Sequence, residues 1–205
     1  MADGFHHVPG FLSQEEVQGL VVIARDICRE APLLRPCMVI GGNVIPFRLT
    51  LTNAGQWGWW SDEHGFRYVE AHPRTGRRWP AIAPLLLDLG ERALRAVRLS
   101  PMPIENCLLN HYAEGESLGQ HQDRSEEDLN APIISLSVGA DALFLLGGPD
   151  RRDPTREYVL RSGDLVVQAG PSRRWFHGIK KLYPTMGNPL RGGGRLNFTL
   201  RKVAR

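Results

Sequence analysis

From Ile104 onward the chain reads as one short strand after another, and no other feature limits the fold as much. The segments are ENCLLNHY, PIISLSV, ALFLLGG, REYVLRSG, DLVVQAG, RWFHGI and RLNFTLRKV. Each is short and rich in branched or aromatic residues, as a half-buried strand requires. GADA, GGPDRRDPT and RSGD separate them, and such Gly, Pro and Asp clusters break regular structure. Many short strands without intervening helices predict a jelly-roll barrel. Tyr183 to Gly194 is too rich in Gly and Pro for regular structure and reads as a mobile surface loop.

Two helices are legible ahead of this run. Ser13 followed by Glu16 fits a capping box, in which each side chain satisfies the other's free backbone N–H. That helix is predicted to run to about Arg29 and to stop before Pro32. A second is predicted from near Pro80 to about Val97. It places Ile82, Leu85, Leu86, Leu89, Ala93 and Val97 on one apolar stripe. Both should pack as scaffold against a sheet. Between them, Met38 to Arg78 holds LTLTNAGQWGWW, GFRYV and three of the five tryptophans, and reads as short strands and loops. At 205 residues with no internal repeat, one domain is expected. Its class is mainly β with flanking helices (α+β).

The formal net charge is +3 and the isoelectric point about 9.0. Such a mild excess suits a polyanionic partner, and arginine-rich genome composition produces it equally well. Its placement says more. Between Glu105 and Asp128 acids dominate, with Arg124 the only Lys or Arg, whereas from Arg151 onward bases dominate. An acidic centre suits a metal and a basic flank suits phosphates. Cys28, Cys37 and Cys107 are odd in number and lack CxxC spacing, so neither a disulfide framework nor a zinc ribbon is expected. MADGFHHVPG has no basic segment followed by a long apolar one, and no stretch approaches about 18 apolar residues. A monomeric protein of the reducing cytoplasm, without a membrane association, is the expectation.

Scattered polar residues point to one site. In GQHQD, alternation along an extended chain turns His121 and Asp123 to the same face. His177, in WFHGI, lies far off on a strand that a closed barrel could return to them. Two His and one carboxylate with open positions form the facial triad of non-haem Fe(II) oxygenases. The HxD pattern alone is common by chance. His6, His7, His64, His72 and His111 are read as non-ligands, His6 and His7 as a solvated pair. In RLNFTLR, Arg195, Asn197, Thr199 and Arg201 share one face and Leu196, Phe198 and Leu200 the other. If the polar face looks into the barrel, its arginines need an anion, and a carboxylate offers matching bidentate geometry. A solvent-exposed polar face is the alternative. In ENCLLNHY, Leu108, Asn110 and Tyr112 share a face, so Asn110 and Tyr112 could add hydrogen bonds to a bound carboxylate.

NHYAEGESLGQHQD, APIISLSVG, WFHGI and RLNFTLR together resemble the AlkB family of Fe(II)- and 2-oxoglutarate-dependent dioxygenases. The similarity runs from about Met38 to Val203 and includes TNAGQWGWW, which looks like that family's substrate-lid region. The resemblance implies a double-stranded β-helix core at 104–205. It implies a helical segment at 1–37, a nucleotide-recognition lid at 38–78 and a supporting helix at 79–103. Iron ligands would be His121, Asp123 and His177. Asn110, Tyr112, Arg195, Asn197 and Arg201 would contact 2-oxoglutarate, with Arg201 on its distal carboxylate. Trp59 would stack on the target base opposite His121, and Phe66 and Tyr68 would line the lid. The implied reaction consumes O2 and 2-oxoglutarate, hydroxylates an N-methyl group and releases succinate, carbon dioxide and formaldehyde. The implied substrate is alkylated DNA bearing 1-methyladenine or 3-methylcytosine, single-stranded or with the base flipped out, and RNA by extension.

Two departures bear on substrate. After HQD the chain has Arg124 and Ser125, where the family's repair enzymes often have a basic residue and then an acid. Arg124 can still reach a phosphate, whereas Ser125 cannot neutralise a cationic base, a task left to Glu126 or Glu127. Phe66 stands where a Tyr hydroxyl would often meet a phosphate. Arg74, Arg77, Arg78, Arg151 and Arg152 are further phosphate candidates. An oxygenase of the same fold acting on a protein or small molecule would keep the metal and keto-acid residues without needing Trp59. A catalytically silent nucleic-acid-binding module would not need the full ligand set.

Overall fold

Every segment read as a strand after Ile104 contains one in the computed structural model, which describes residues 3–204. Residues 1, 2 and 205, the ends of the expected domain, lie outside the described residues. In chain order the elements begin with β1 (Phe5–Val8), α1 (Gln14–Glu30), β2 (Cys37–Ile40), β3 (Asn43–Pro46), β4 (Thr50–Gly55), β5 (Gly58–Asp62) and β6 (Gly65–Val69). They continue with α2 (Pro84–Ala96), β7 (Asn106–Tyr112), β8 (Leu118–His121), β9 (Ile133–Gly139), β10 (Asp141–Leu146) and β11 (Arg156–Leu160). Last come β12 (Leu165–Gln168), a 3-10 turn (Gly170–Arg174), β13 (His177–Tyr183) and β14 (Arg195–Arg201).

Two antiparallel sheets form the jelly roll. The larger runs β1-β12-β9-β14-β7-β4 and the smaller β11-β10-β13-β8. β14 lies between β7 and β9, with Arg195 opposite both Tyr112 and Gly139. Its alternation divides the interior. Leu196, Phe198 and Leu200 enter a core shared with Leu20 and Ala24 of α1 and Leu86 and Leu89 of α2. Arg195, Asn197, Thr199 and Arg201 enter the space between the sheets. A second apolar cluster there, including Tyr112, Phe144, Leu160 and Ile179, surrounds the polar centre. The helices thus shield the outer face of the large sheet. Each fully buried large apolar side chain contributes roughly 1.5–3 kcal/mol.

The capping box forms as read, with Ser13 Oγ accepting from Glu16 N and Glu16 Oε2 accepting from Ser13 N. α2 begins later than expected, at Pro84 rather than near Pro80. Ala83, immediately before that proline, is extended (φ −61°, ψ 141°), because the proline ring disfavours helical geometry in the preceding residue. Pro84 itself sits at the first helical position, where its missing N–H costs nothing. The Pro80 carbonyl instead accepts from Gly55 N at 2.8 Å. The first 37 residues are also not purely helical. Phe5–Val8 pairs with Leu165–Gln168, and Phe5 is buried in the inner cluster. His7 is correspondingly no solvated residue, since its Nε2 lies 2.9 Å from Asp164 Oδ2. The 184–194 segment has no regular element, yet Leu190 packs on the main core and Asn188 Nδ2 donates to Gly194 O. No described helix is long and apolar enough to cross a membrane.

The expected lid region, 38–78, forms two hairpins, β2-β3 and β5-β6, but β4 between them pairs with β7 in the large sheet and so belongs to the barrel rather than to a lid. Gly41 and Gly42 join the first with φ of 57° and 81°, the paired positive angles of a tight hairpin turn. The second carries Trp59 beside Gly58, whose missing side chain leaves room for Trp79. A Cβ there would lie 2.2 Å from the Trp79 ring. That ring is also fixed by its Nε1 donating to Val69 O at 2.8 Å. Gly58→Ala should therefore destabilise the protein by about 1–3 kcal/mol. A urea-unfolding midpoint equal to wild type would contradict this close packing.

Candidate active site

His121 ends β8 and His177 begins β13, and the two residues are direct partners in the antiparallel register. Pairing therefore brings together histidines far apart in sequence, with ring centroids 4.5 Å apart. Asp123 lies two residues beyond the end of β8, so its approach does not come from strand alternation alone. It still meets both rings. Asp123 Oδ1 is 3.8 Å from His121 Nε2, and Oδ2 is 3.7 Å from His177 Nε2. The ligand atoms of all three residues lie within 4.8 Å of one another.

The ring nitrogens are oriented for ligation. A carbonyl can only accept, so His121 Nδ1 donates to Gly119 O (3.0 Å) and His177 Nδ1 to Trp175 O (3.1 Å). Both Nε2 lone pairs are left facing Asp123, the usual arrangement behind a metal-binding imidazole. Burial first, and then the neighbouring His121, pull the His177 pKa down to about 4, which keeps the ring neutral. Burial alone would raise Asp123, but Arg201, His177 and His121 outweigh it and hold the carboxyl below its ordinary range. Two imidazoles and one carboxylate are a donor set that suits Fe(II).

The same cavity is lined by Asn110, Tyr112, Arg195, Asn197 and Arg201, so all five expected keto-acid residues reach it. They are not equivalent. Asn197 spends its amide on Ser135 Oγ, Leu136 O and the Thr199 hydroxyl. Arg201 meets two anions, with Nη2 3.0 Å from Asp123 Oδ1 and Nη1 2.8 Å from Glu126 Oε1, and its Nε is buried without a partner. Its expected place on a distal carboxylate does not fit these surroundings. Arg195 is fully buried and donates only to neutral acceptors, Ala140 O, Leu160 O and Ser137 Oγ. Its Nε has no partner, and no carboxylate lies within 4.0 Å among the described residues. Burial pulls its pKa down to about 10, so it remains a cation without a counter-ion at neutral pH. Burial also raises the Tyr112 pKa, so that phenol stays protonated. Asn110 and Tyr112 make no side-chain hydrogen bond to another described residue, and their polar ends are open to the cavity.

Sequence reading missed Arg173. It is buried, four residues before His177, while its neighbour Arg174 is exposed. Its guanidinium donates to Ala131 O, Asp123 O and Glu126 Oε2. Glu126 is equally buried and therefore not free to neutralise a base. Tyr68, expected to line the lid, turns its hydroxyl inward and donates to Glu126 Oε1 at 2.6 Å. Glu127 backs onto the C-terminal segment, its N donating to Val203 O.

The remaining lid residues form an aromatic group. Trp59 stacks on Phe66 at 5.8 Å and 21°, and its Nε1 donates to Ser125 Oγ at 3.3 Å. Phe66 is 56% exposed. Arg124 and Arg152 are exposed, the latter beside Asp150.

The model of the 2OG-Fe(II) oxygenase superfamily matches residues 4–201. An alpha-ketoglutarate-dependent dioxygenase AlkB homolog of Caulobacter vibrioides is 40% identical over 201 residues, 98% of this chain and 88% of that protein. The chain belongs to the AlkB family. The chain is also similar to the tRNA demethylase abh1 of Schizosaccharomyces pombe, 36% identical over 131 residues, 57% of this chain and 43% of that protein. The solved structure of OsALKBH1 shares the fold, with a TM-score of 0.82 at 24% identity, over 98% of this chain and 99% of that one. As an AlkB-family protein the chain is an Fe(II)- and 2-oxoglutarate-dependent dioxygenase, with O2 as the second cosubstrate.

The lowered His177 pKa has a consequence for the metal-free protein. Below the ordinary value of 6.5 the unfolded chain takes a proton that the folded ring refuses until about pH 4. Stability should therefore fall as pH drops through that window. Urea midpoints at pH 5 and pH 7 should differ more in wild type than in His177→Gln. Equal differences would contradict the buried neutral ring.

Proposed function

We propose that this dioxygenase removes N-methyl groups from nucleic-acid bases, reversing alkylation damage of the 1-methyladenine and 3-methylcytosine type in DNA, with RNA as a second substrate. The observation that carries the reading is the Trp59–Phe66 pair on the β5-β6 hairpin, tied through Trp59 Nε1 to Ser125, two residues from Asp123. A flat aromatic surface beside a metal site suits a flat reactant. A base cannot be reached inside a duplex and must be flipped out or already unpaired. Stacking on an aromatic side chain contributes roughly 1–3 kcal/mol per base. A cationic methylated base gains further attraction from the electron-rich ring face.

The other residues take separate tasks in this reading. His121, Asp123 and His177 hold Fe(II). Arg195 receives the distal carboxylate of 2-oxoglutarate as its missing counter-ion, and Asn110 and Tyr112 supply the open hydrogen-bonding groups. Bound iron with its two cosubstrates supplies oxidation of the N-methyl carbon, after which formaldehyde leaves and the keto acid is converted to succinate and carbon dioxide. The chain's own contribution is to bind, aim and exclude water. Arg124 and Arg152 are exposed, and in this reading they meet phosphates, whose contacts position a strand without reading its sequence.

The test is to incubate the protein with Fe(II), ascorbate, 2-oxoglutarate and single-stranded DNA carrying 3-methylcytosine, and to weigh the oligonucleotide. Loss of one methyl mass, absent with His121→Ala, is expected. Succinate formation without any change in DNA or RNA mass would defeat the nucleic-acid reading and favour a protein or small-molecule substrate. Trp59→Ala should lower base demethylation on the order of tenfold, within the range expected of one lost stacking contact, and spare uncoupled succinate formation. Equal losses in both would assign Trp59 to folding.

A further inference from the structure

We propose that Asn53 and Asn106 are positioning residues for base recognition, which hold Trp59 at a fixed place relative to the barrel. The inference rests on the reading of Trp59 as the surface on which a flipped base stacks. Trp59 sits on the β5-β6 hairpin, which forms a two-stranded sheet of its own. Such a hairpin is only marginally stable by itself in water, so the aim of its ring has to be set from elsewhere.

Asn53 supplies the connection. It lies on β4 of the large sheet and is fully buried, and its amide spans both main-chain groups of Trp59. Oδ1 accepts from Trp59 N at 3.0 Å, and Nδ2 donates to Trp59 O at 3.1 Å. Antiparallel strands exchange the same two bonds, so one side chain takes the place of a neighbouring strand. Asn106, the first residue of β7, is buried beside it. Its Nδ2 donates to Asn53 Oδ1 at 3.0 Å and to Trp57 O at 2.8 Å. Asn53 Oδ1 therefore accepts two N–H groups, and the amide has one workable orientation. Turned over, its NH2 would meet two donors. The link from β4 to β5 is only Gln56 and Trp57, and both their N–H groups donate to Glu105 O, at 2.9 and 3.3 Å. Trp59 is thus tied at its main chain to the barrel and at its ring to Ser125.

Packing alone would not call for this pair. Buried amides are costly unless every polar atom is bonded, and Asn106 Oδ1 has no partner among the described residues. Apolar side chains would fill the same space without that cost. What the two amides add is direction, because satisfied polar networks specify one arrangement of the groups that they join.

The test compares Asn53→Ala and Asn106→Ala with wild type in the Fe(II)-loaded protein. Three quantities are read: the KM for single-stranded DNA carrying 3-methylcytosine, succinate formation without DNA, and hydrogen exchange of the Trp59 amide by NMR. A neutral hydrogen bond is worth roughly fivefold in an equilibrium. Asn53→Ala loses two to Trp59, so its oligonucleotide KM should rise about tenfold or more, and the Trp59 amide should exchange faster by a similar factor. Succinate formation without DNA and the KM for 2-oxoglutarate should stay at wild type. Asn106→Ala removes only what orients Asn53 and should raise the oligonucleotide KM about three- to fivefold. In a Trp59→Ala background neither change should raise it further, because the effect passes through Trp59.

A wild-type oligonucleotide KM in folded Asn53→Ala would overturn the proposal. So would an equal rise in the Trp59→Ala background, or a Trp59 amide that exchanges as in wild type. Where Asn53→Ala does not fold, the Asn106→Ala result decides in the same way. Loss of DNA-independent succinate formation in both variants would mark the pair as residues of the fold and also overturn it. A wild type that processes no methylated oligonucleotide would defeat the stacking reading itself, and this role with it.

Discussion

The interior of this barrel must hold three guanidinium groups away from water, and the rest of the site is arranged around that demand. Arg173, Arg195 and Arg201 are 1%, 0% and 4% exposed. A buried charge without a partner is far costlier than a buried apolar group. Arg173 and Arg201 meet it with Glu126 and Asp123. Arg195 meets it only in part, with neutral oxygens and a depressed pKa. A site that retains one uncompensated cation is prepared for an anionic ligand, and 2-oxoglutarate is a dianion.

Scaffold and chemistry are linked through β14. Its apolar side chains tie the large sheet to both helices, and its polar ones form one wall of the cavity. A one-residue slip against β7 or β9 would turn the arginines into the helical core, so the packing that stabilises the fold also fixes the register of the site. The opposite wall depends on the pairing of β8 with β13, which sets the two histidines side by side. The lid meets the segment that carries Asp123 through Trp59 on Ser125 and Tyr68 on Glu126.

Much of this was legible in the sequence because strand alternation is a strict rule. RLNFTLR displayed its two faces, and the HxD pattern with a distant His displayed the metal donors. What alternation could not show was which charges meet. Arg195 and Arg201 share a face and a residue type, and only the three-dimensional placement of Asp123 and Glu126 distinguishes them. Arg173 and Arg174 are adjacent and chemically identical, and a 3-10 turn decides which is buried. Tyr68 reads as one lid aromatic among several until its hydroxyl is seen to point inward. β1 escaped notice because four residues, two of them histidines, carry too little pattern. The start of α2 was misplaced because the apolar stripe extends back through Ile82, which packs on the core from outside the helix.

The central claim is that Arg195, the buried cation without a counter-ion, receives the distal carboxylate of the cosubstrate. It is tested most directly by titrating 2-oxoglutarate into Mn(II)-loaded wild type and Arg195→Gln. Removing one partner of a buried charge pair costs about 2–5 kcal/mol. The affinity of the variant should therefore fall on the order of 30-fold or more, with Mn(II) affinity unchanged. A keto-acid affinity equal to wild type in the folded variant would contradict the account.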